Sequence, residues 1–302
     1  MFSKELGNTG VQIPEVGLGT WRYHAGPDPL RKGLDAGALF IDTAESYGTE
    51  PTVAEAIAGR RDGVFLATKV SQEHFRRADV LAAADNSLRR LRTDYIDLYQ
   101  LHEPNPAIPL EETLGAMEEL ADAGKVRFIG VSNFSLSQLE RARNVMRKHP
   151  IVSNQVRYNL ADRTIEKDLL PYCESNHVTI IAYCPLARGL QHLDDSDPRG
   201  VLRDIARSLC RTPAQVALNW CLAKRPVVVI PKGNSIGHIL ENSGASGWRL
   251  SAEQIARLDT QIVFRRRNGC ERFLRRCLPR GFKRGIQRVL QRLPPGLRRQ
   301  FN

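Results

Sequence analysis

Phe40-Ile41-Asp42-Thr43-Ala44-Glu45-Ser46-Tyr47-Gly48, Leu66-Ala67-Thr68-Lys69-Val70 and Asp97-Leu98-Tyr99-Gln100-Leu101-His102 share one pattern. Each begins as an apolar, β-prone run and stops abruptly on an ionisable residue. A parallel barrel carries its chemistry at the C-terminal ends of its strands. Three successive strands of this kind would bring Asp42, Lys69 and His102 to one rim, with Tyr47 on the loop five residues beyond Asp42. A phenol, an ammonium, a carboxylate and an imidazole together make a proton-donating site for a carbonyl oxygen.

Outward from these stretches the same alternation continues. Strands are expected near Glu15–Gly19, Leu39–Asp42, Gly63–Lys69, Ile96–Leu101, Arg127–Val131, Val152–Val156, Thr179–Tyr183 and Val227–Ile230. Amphipathic helical patterns lie between them, at Ala78–Leu91, Leu110–Ala123, Leu136–Arg147, Thr164–Asn176 and Pro213–Ala223. Ala78 or Asp79 opens the first of these and Ser135 precedes the third. Thr212-Pro213 reads as an N-cap followed by proline at the first helical position. Eight strand–helix repeats in about 250 residues predict an α/β protein with a (β/α)8 TIM barrel. An open doubly wound sheet shows the same alternation, but no G-x-G-x-x-G follows the first strand. Lys4–Ile13, with Asn8-Thr9-Gly10 as its turn, predicts a small N-terminal hairpin.

The chain has 302 residues, 42% of them hydrophobic, enough for a full core. Its N-terminus lacks the apolar run of a secretory signal, and no stretch approaches the ~18 apolar residues of a membrane span. Six cysteines show neither C-x-x-C nor zinc spacing with histidine, so reduced thiols and no metal are expected. The net charge of +11 is unevenly held. Residues 265–302 carry thirteen basic side chains against Glu271 alone, a balance of +12, which leaves the first 264 residues at −1. The division expected is therefore a barrel over 1–264 and a basic extension over 265–302.

A free phenol, with a pKa near 10, is a poor acid at neutral pH unless its anion is stabilised. Lys69 beside Tyr47 would favour the phenolate and lower that pKa. Asp42 would hold Lys69 charged, and His102 would hydrogen-bond the same oxygen. Each residue taken singly has a bland explanation, as packing, a solvated strand end or a loop cap. Their convergence on consecutive strand ends favours a site.

At these residues the chain resembles an aldo-keto reductase of bacterial type, over about residues 1–262. The matching phrases are Gly17-Leu18-Gly19-Thr20-Trp21, Ile41-Asp42-Thr43-Ala44 through Tyr47-Gly48, Thr68-Lys69, Leu101-His102 and Gly130-Val131-Ser132-Asn133-Phe134. Asn154-Gln155, Ala182-Tyr183-Cys184-Pro185-Leu186 and Ile230-Pro231-Lys232 complete the set. The resemblance implies reversible, metal-free reduction of an aldehyde or ketone by NADP(H), with Asp42, Tyr47, Lys69 and His102 catalytic and Tyr47 protonating the oxygen. It implies that Ser132, Asn133 and Gln155 hold the nicotinamide carboxamide and that Tyr183 stacks on its ring. Leu186 and its neighbours in Cys184–Gly189, among them Cys184, Pro185 and Arg188, would follow the pyrophosphate. Lys232 would meet the 2′-phosphate, with Glu241 and Asn242 near the adenine. Gly19, Thr20, Trp21, Asp42, Ile230 and Pro231 complete the implied cofactor set. Trp21, Tyr47, His102 and Glu103 would line the substrate side.

The sequence departs from the family pattern at three places. Gly233 and His238 stand where serine and arginine are frequent, weakening two phosphate grips and leaving NAD(H) open beside NADP(H). Glu103 follows His102 where tryptophan is frequent, which makes the pocket rim more polar. The third departure is the tail. Apolar residues from Cys270 to Leu293 recur at helical spacing opposite an arginine-rich face, predicting two basic amphipathic helices. Such helices suit an anionic membrane surface or an acidic partner, or fold back on the barrel. A nucleic-acid partner is not expected, since the tail's aromatics lie in the apolar stripes. A monomeric, cytoplasmic enzyme acting on a small carbonyl compound is expected, with peripheral membrane association open through the tail. The alternative is a cofactor-binding sensor with little turnover, targeted by its tail.

Overall fold

A computed structural model describes residues 1–264. The expected basic helices of 265–302 lie outside the described residues. The chain opens with an antiparallel hairpin, β1 (Ser3–Glu5) and β2 (Gln12–Pro14). Eight parallel strands follow: β3 (Leu18–Gly19), β4 (Phe40–Asp42), β5 (Phe65–Val70), β6 (Ile96–Leu101), β7 (Val126–Ser132), β8 (Ile151–Arg157), β9 (Thr179–Tyr183) and β10 (Val227–Val229). They pair in sequence order. The sheet curls on itself, and a parallel bridge between Val16 and Val229 joins its last strand to its first. The Gly17 amide donates to the Val229 carbonyl at 2.8 Å and the Gly19 amide to the Pro231 carbonyl at 3.1 Å. Gly19 allows this approach, because a Cβ there would lie 2.5 Å from the Ile230 carbonyl oxygen.

Strand side chains alternate between the two faces, so residue parity decides what each one meets. Ile41, Leu66, Tyr99, Ile129, Val131, Ile180 and Val229 belong to the large cluster shared with the surrounding helices. Phe40, Phe65, Ala67, Leu98, Ile181 and Val228 belong to a separate cluster inside the barrel. Leu6 and Ile13 of the hairpin join that inner cluster. The hairpin is tied to the N-terminal end of the barrel by Lys4, whose Nζ donates to the carbonyls of Leu222, Lys224 and Val227 at 2.7–2.8 Å. The barrel floor is thus apolar and closed. The next inward positions along the strands, toward their C-terminal ends, are the polar Asp42, Lys69 and Gln100.

The helices largely follow the expected pattern. Ser135 and Thr212 each complete a capping box, with Gln138 and Gln215 respectively. Two expectations are corrected. The helix before β6 starts at Arg77 behind Arg76, with neither Ala78 nor Asp79 as its cap. The single helix expected over Thr164–Asn176 divides into a 3-10 turn, Thr164–Lys167, and a helix, Leu169–Ser175. The break is at Asp168, whose non-helical backbone lets its carboxylate accept from the Leu169 amide at 2.7 Å. No helix among the described residues is long and apolar enough to cross a membrane.

Candidate active site

Parity places Asp42 above Phe40, Lys69 above Ala67 and Gln100 above Leu98, all inside the barrel. The Lys69 Nζ donates to Asp42 Oδ1 at 2.6 Å and to the Thr43 carbonyl at 2.8 Å. Both partners are buried, Lys69 completely and Asp42 to 2% exposure. The other carboxylate oxygen, Oδ2, accepts from Gln155 Nε2 at 2.7 Å and from Gln100 Nε2 at 3.3 Å. A buried ion pair is held only when its remaining polar atoms are also satisfied, and the two amides do this for Asp42.

Tyr47 closes a short 3-10 turn, Glu45–Tyr47, on the loop after β4. Glu45 fastens that turn to the loop after β5, accepting from the Ser71 amide at 2.5 Å and lying 3.0 Å from His74 Nδ1. The Tyr47 hydroxyl lies 3.4 Å from His102 Nε2, with the two rings edge to face. The Lys69 Nζ lies 5.0 Å from the Tyr47 ring centroid. The four ionisable residues expected to converge are therefore brought together.

The expected lowering of the Tyr47 pKa is corrected. Burial pushes the phenol above its ordinary value, and the Asp42 carboxylate adds to the rise. The Lys69 ammonium is hydrogen-bonded to Asp42 and Thr43, so its charge is largely matched within the barrel. Burial also drives the Lys69 ammonium downward, against the opposing pull of Asp42. Burial, with the Lys69 charge behind it, pushes His102 down to about 3. The imidazole next to the phenol is thus neutral at neutral pH.

A cavity of about 520 Å³ opens over these groups. Gly19, Thr20, Trp21, Asp42, Tyr47, His102, Glu103, Ser132, Asn133, Gln155, Tyr183, Cys184, Pro185, Leu186, Arg188, Ile230, Pro231 and Lys232 all line it, as expected from sequence. Lys69 lies beneath it, behind Asp42. Gly233, His238, Glu241 and Asn242 are not among the lining residues. His238 is exposed and Asn242 buried on the helix Ile236–Ser243. Gly233 has a packing reason, since a Cβ there would meet the Ile239 side chain at 2.8 Å and its amide nitrogen at 3.0 Å.

One wall of the cavity is a continuous hydrogen-bonded net. Ser132 Oγ donates to the Gln155 carbonyl at 2.9 Å. Asn133, in left-handed backbone at φ 63°, donates through Nδ2 to the His102 carbonyl and to Ser132 Oγ, both at 3.1 Å. The Tyr183 hydroxyl donates to Asn133 Oδ1 at 2.9 Å. After β9, Cys184, Ala187 and Arg188 all take left-handed backbone, at φ 49°, 54° and 72°. Non-glycine residues seldom adopt it, and successive irregular turns of this type form anion-cradling backbone nests.

Sequence reading missed Gln100 and Arg22, whereas Gly189, at the end of the stretch expected along the pyrophosphate, also lines the cavity. Gln100 was legible in principle, because it shares the inward parity of Leu98 and His102. Arg22 lies on a loop, where no periodicity marks what faces a cavity. No cluster of three or more metal-ligating side chains occurs among the described residues.

Comparison with known proteins agrees with this geometry. Residues 15–262 match the model of the aldo/keto reductase family. The methylglyoxal reductase YeaE of Escherichia coli K12 is 37% identical over 261 residues, covering 82% of this chain and 91% of that protein. An aldo-keto reductase from Klebsiella pneumoniae, solved in complex with NADPH, is 40% identical with a TM-score of 0.81, covering 88% of this chain and 98% of that one. The thermostable aldo-keto reductase Tm1743, solved with the inhibitor epalrestat, is 44% identical with a TM-score of 0.81, covering 86% and 100%.

Proposed function

We infer the reaction from one premise: the chain belongs to the aldo/keto reductase family. It is an NADP-dependent oxidoreductase that reduces a carbonyl compound to an alcohol. The observation that carries the assignment of roles is the buried Lys69–Asp42 pair directly behind the Tyr47–His102 contact, on the floor of an open cavity.

The lining residues fit a phosphorylated nicotinamide cofactor. Lys232 supplies a cation after β10, the nest-like Cys184–Gly189 backbone suits a pyrophosphate, and Ser132, Asn133 and Gln155 offer amide and hydroxyl groups to a carboxamide. The Tyr183 ring is available for stacking beside them. Bound there, the reduced nicotinamide supplies hydride to the carbonyl carbon.

The chain's own residues handle the proton. His102 is neutral, and in the tautomer with its proton on Nε2 it donates to the substrate oxygen and orients it toward Tyr47. As negative charge develops, that oxygen becomes a stronger base than a phenolate, so Tyr47 gives up its proton downhill even with a raised pKa. The Lys69 ammonium, 5.0 Å from the ring, stabilises the phenolate that results. Asp42 keeps Lys69 charged, while Gln155 and Gln100 keep Asp42 in register. Trp21 and Glu103 border the substrate, and the carboxylate makes that border polar.

A small aldehyde or ketone is the substrate class, and the YeaE relationship puts methylglyoxal on the test panel. Lys232, with one charge-assisted contact worth roughly 1.5–3 kcal/mol, gives NADPH a modest advantage over NADH. The basic stretch 265–302 is read from sequence alone as a contact for an anionic membrane surface or an acidic partner. The decisive experiment is steady-state turnover of the purified full chain on methylglyoxal and simple aldehydes with each cofactor. NADPH-dependent reduction with weaker NADH activity is expected. Tight NADPH binding without turnover of any carbonyl would overturn this reading in favour of a sensor.

A further inference from the structure

The loop that carries Tyr47 runs from Thr43 to Thr49, and three hydroxyl groups fasten its two ends together. The Thr43 and Thr49 hydroxyls lie 2.8 Å apart. The Thr49 hydroxyl also lies 3.0 Å from that of Thr20, just past β3. The Thr20 hydroxyl donates to the Asp42 carbonyl at 3.0 Å. Thr20 and Thr43 are fully buried and Thr49 is 5% exposed.

A hydroxyl has one proton. Thr20 gives its own to the Asp42 carbonyl, so toward Thr49 it accepts. Thr49 in turn accepts from Thr43. The proton order is thereby fixed, from Thr43 to Thr49 to Thr20 to Asp42, with each proton matched to an acceptor. The series begins and ends on neighbouring residues at the end of β4 and passes through the far end of the Tyr47 loop. Thr43 is its junction: the hydroxyl holds Thr49, while the carbonyl accepts from the Lys69 Nζ at 2.8 Å.

Thr49 stands where a helix cap would stand, directly before the helix Glu50–Ile57. A threonine there ordinarily accepts from an amide of the first turn. Here the side chain makes no such bond, and its hydroxyl is turned to the strand ends instead. The next residue repeats the arrangement. The buried Glu50 carboxylate accepts from the Thr68 hydroxyl at 2.7 Å and from Arg90 Nε at 2.6 Å. Thr68 immediately precedes Lys69 on β5. The end of the loop is thus registered on β3, β4 and β5, and the last two deliver Asp42 and Lys69.

We propose that Thr49 is a positioning residue for the reaction: through the Thr43 junction it fixes the Tyr47 hydroxyl over the Lys69 ammonium. This rests on the reading of the site as a carbonyl reductase with Tyr47 as its acid. Thr49 is not among the residues that line the cavity, so it acts through Tyr47 and touches neither substrate nor cofactor. Attraction between the ammonium and the developing phenolate weakens with distance. A loop released at its base therefore leaves Tyr47 a poorer acid.

The test compares full-length wild type, Thr49→Val and Thr49→Ser on the uncharged 4-nitrobenzaldehyde with NADPH. Valine keeps the branched shape and removes the hydroxyl, whereas serine keeps the hydroxyl. Rates are expressed per NADPH-binding site, so unfolded protein does not enter them. The expected result is a ~10-fold fall in kcat for Thr49→Val, since a misplacement of ~1 Å can cost ~10²-fold. The NADPH dissociation constant is unchanged, and serine restores most of the rate. With NADPH deuterated at the transferred position, the isotope effect on kcat in Thr49→Val stays at or above that of wild type, because the slowed step is the chemical one. Thr43→Val breaks the same series from its other end and leaves the backbone carbonyl on Lys69. It gives the same loss, the double variant is no slower than either single one, and it carries the test if Thr49→Val does not fold. A lower melting temperature with kcat per site unchanged overturns the proposal and leaves Thr49 a packing residue. So does a fall in kcat that comes with a diminished isotope effect or weakened NADPH binding, which assigns Thr49 to the cofactor steps. Failure of wild type to reduce 4-nitrobenzaldehyde at all overturns the underlying reductase reading, whereas its turnover with kcat unchanged in both valine variants removes only the role of Thr49.

Discussion

At the scale of the residue, the site is built on one buried ion pair and one desolvated imidazole. Lys69 and Asp42 are held 2.6 Å apart with almost no exposure, and removing one partner of such a pair leaves an uncompensated charge. His102 has the clearest consequence for pH. Its folded value of about 3 lies below its ordinary 6.5, so as pH falls the unfolded chain takes the proton first. The stability due to the neutral imidazole is complete above 6.5 and is lost progressively as pH falls toward 3. Thermal melts from pH 7 to 4 should therefore show a steeper loss for wild type than for His102→Gln; parallel curves would contradict the buried neutral state. In the same range kcat/KM should show no inflection at 6.5 attributable to His102, because the working form persists well below that pH.

At the scale of the element, the alternation of strands and helices was the legible part. Runs such as Phe65–Val70 and Ile96–Leu101 announced themselves by composition, whereas the parity that sets Gln100 inward beside Leu98, as it sets Lys69 beside Ala67, went unread. Ser135 was readable from its place before a helical pattern and Thr212 from the proline that follows it, and the structure adds a glutamine partner three residues on in each case. Loop geometry was not legible. The left-handed backbone at Arg22, Cys184, Ala187 and Arg188 falls on residues other than glycine, so no local sequence signal marked it, and the break at Asp168 comes with one side-chain hydrogen bond that periodicity does not record. Gly233 illustrates the same limit. As sequence it was a missing phosphate grip, whereas the structure makes it a packing requirement against Ile239. Gly233→Ala should lower stability by about 1–3 kcal/mol, the usual range for overpacking, measured by urea unfolding; a neutral change would mean the Ile236–Ser243 helix shifts freely. At the adjacent residue, Lys232→Ala should raise the KM for NADPH far more than that for NADH. Equal changes would locate the 2′-phosphate elsewhere.

At the scale of the whole molecule, closure of the sheet between Val16 and Val229 and the hairpin plug leave one open end, where the polar layer meets solvent. Within the described residues the last barrel strand ends at Val229, and the final helix, Ala252–Gln261, is held by Arg163 bonding to Leu258 and Asp259. A chain ending at Val263 should thus fold and keep its kcat, with a melting temperature close to that of the full chain. It should also lose any affinity for anionic vesicles that the full chain shows at low salt, because the removed stretch carries a balance of +12. Equal co-sedimentation of the two chains, or a large fall in melting temperature, would contradict this. The central claim is that the proton comes from Tyr47, poised over the Lys69–Asp42 pair. Its most direct test is Tyr47→Phe, which keeps the ring and its packing and removes only the hydroxyl. Steady-state reduction of 4-nitrobenzaldehyde and NADPH binding should be measured side by side on the wild-type and variant proteins. The account predicts a loss of kcat of at least ~10²-fold, the low end of general-acid assistance, with the NADPH dissociation constant unchanged. Near wild-type kcat in the variant would contradict it.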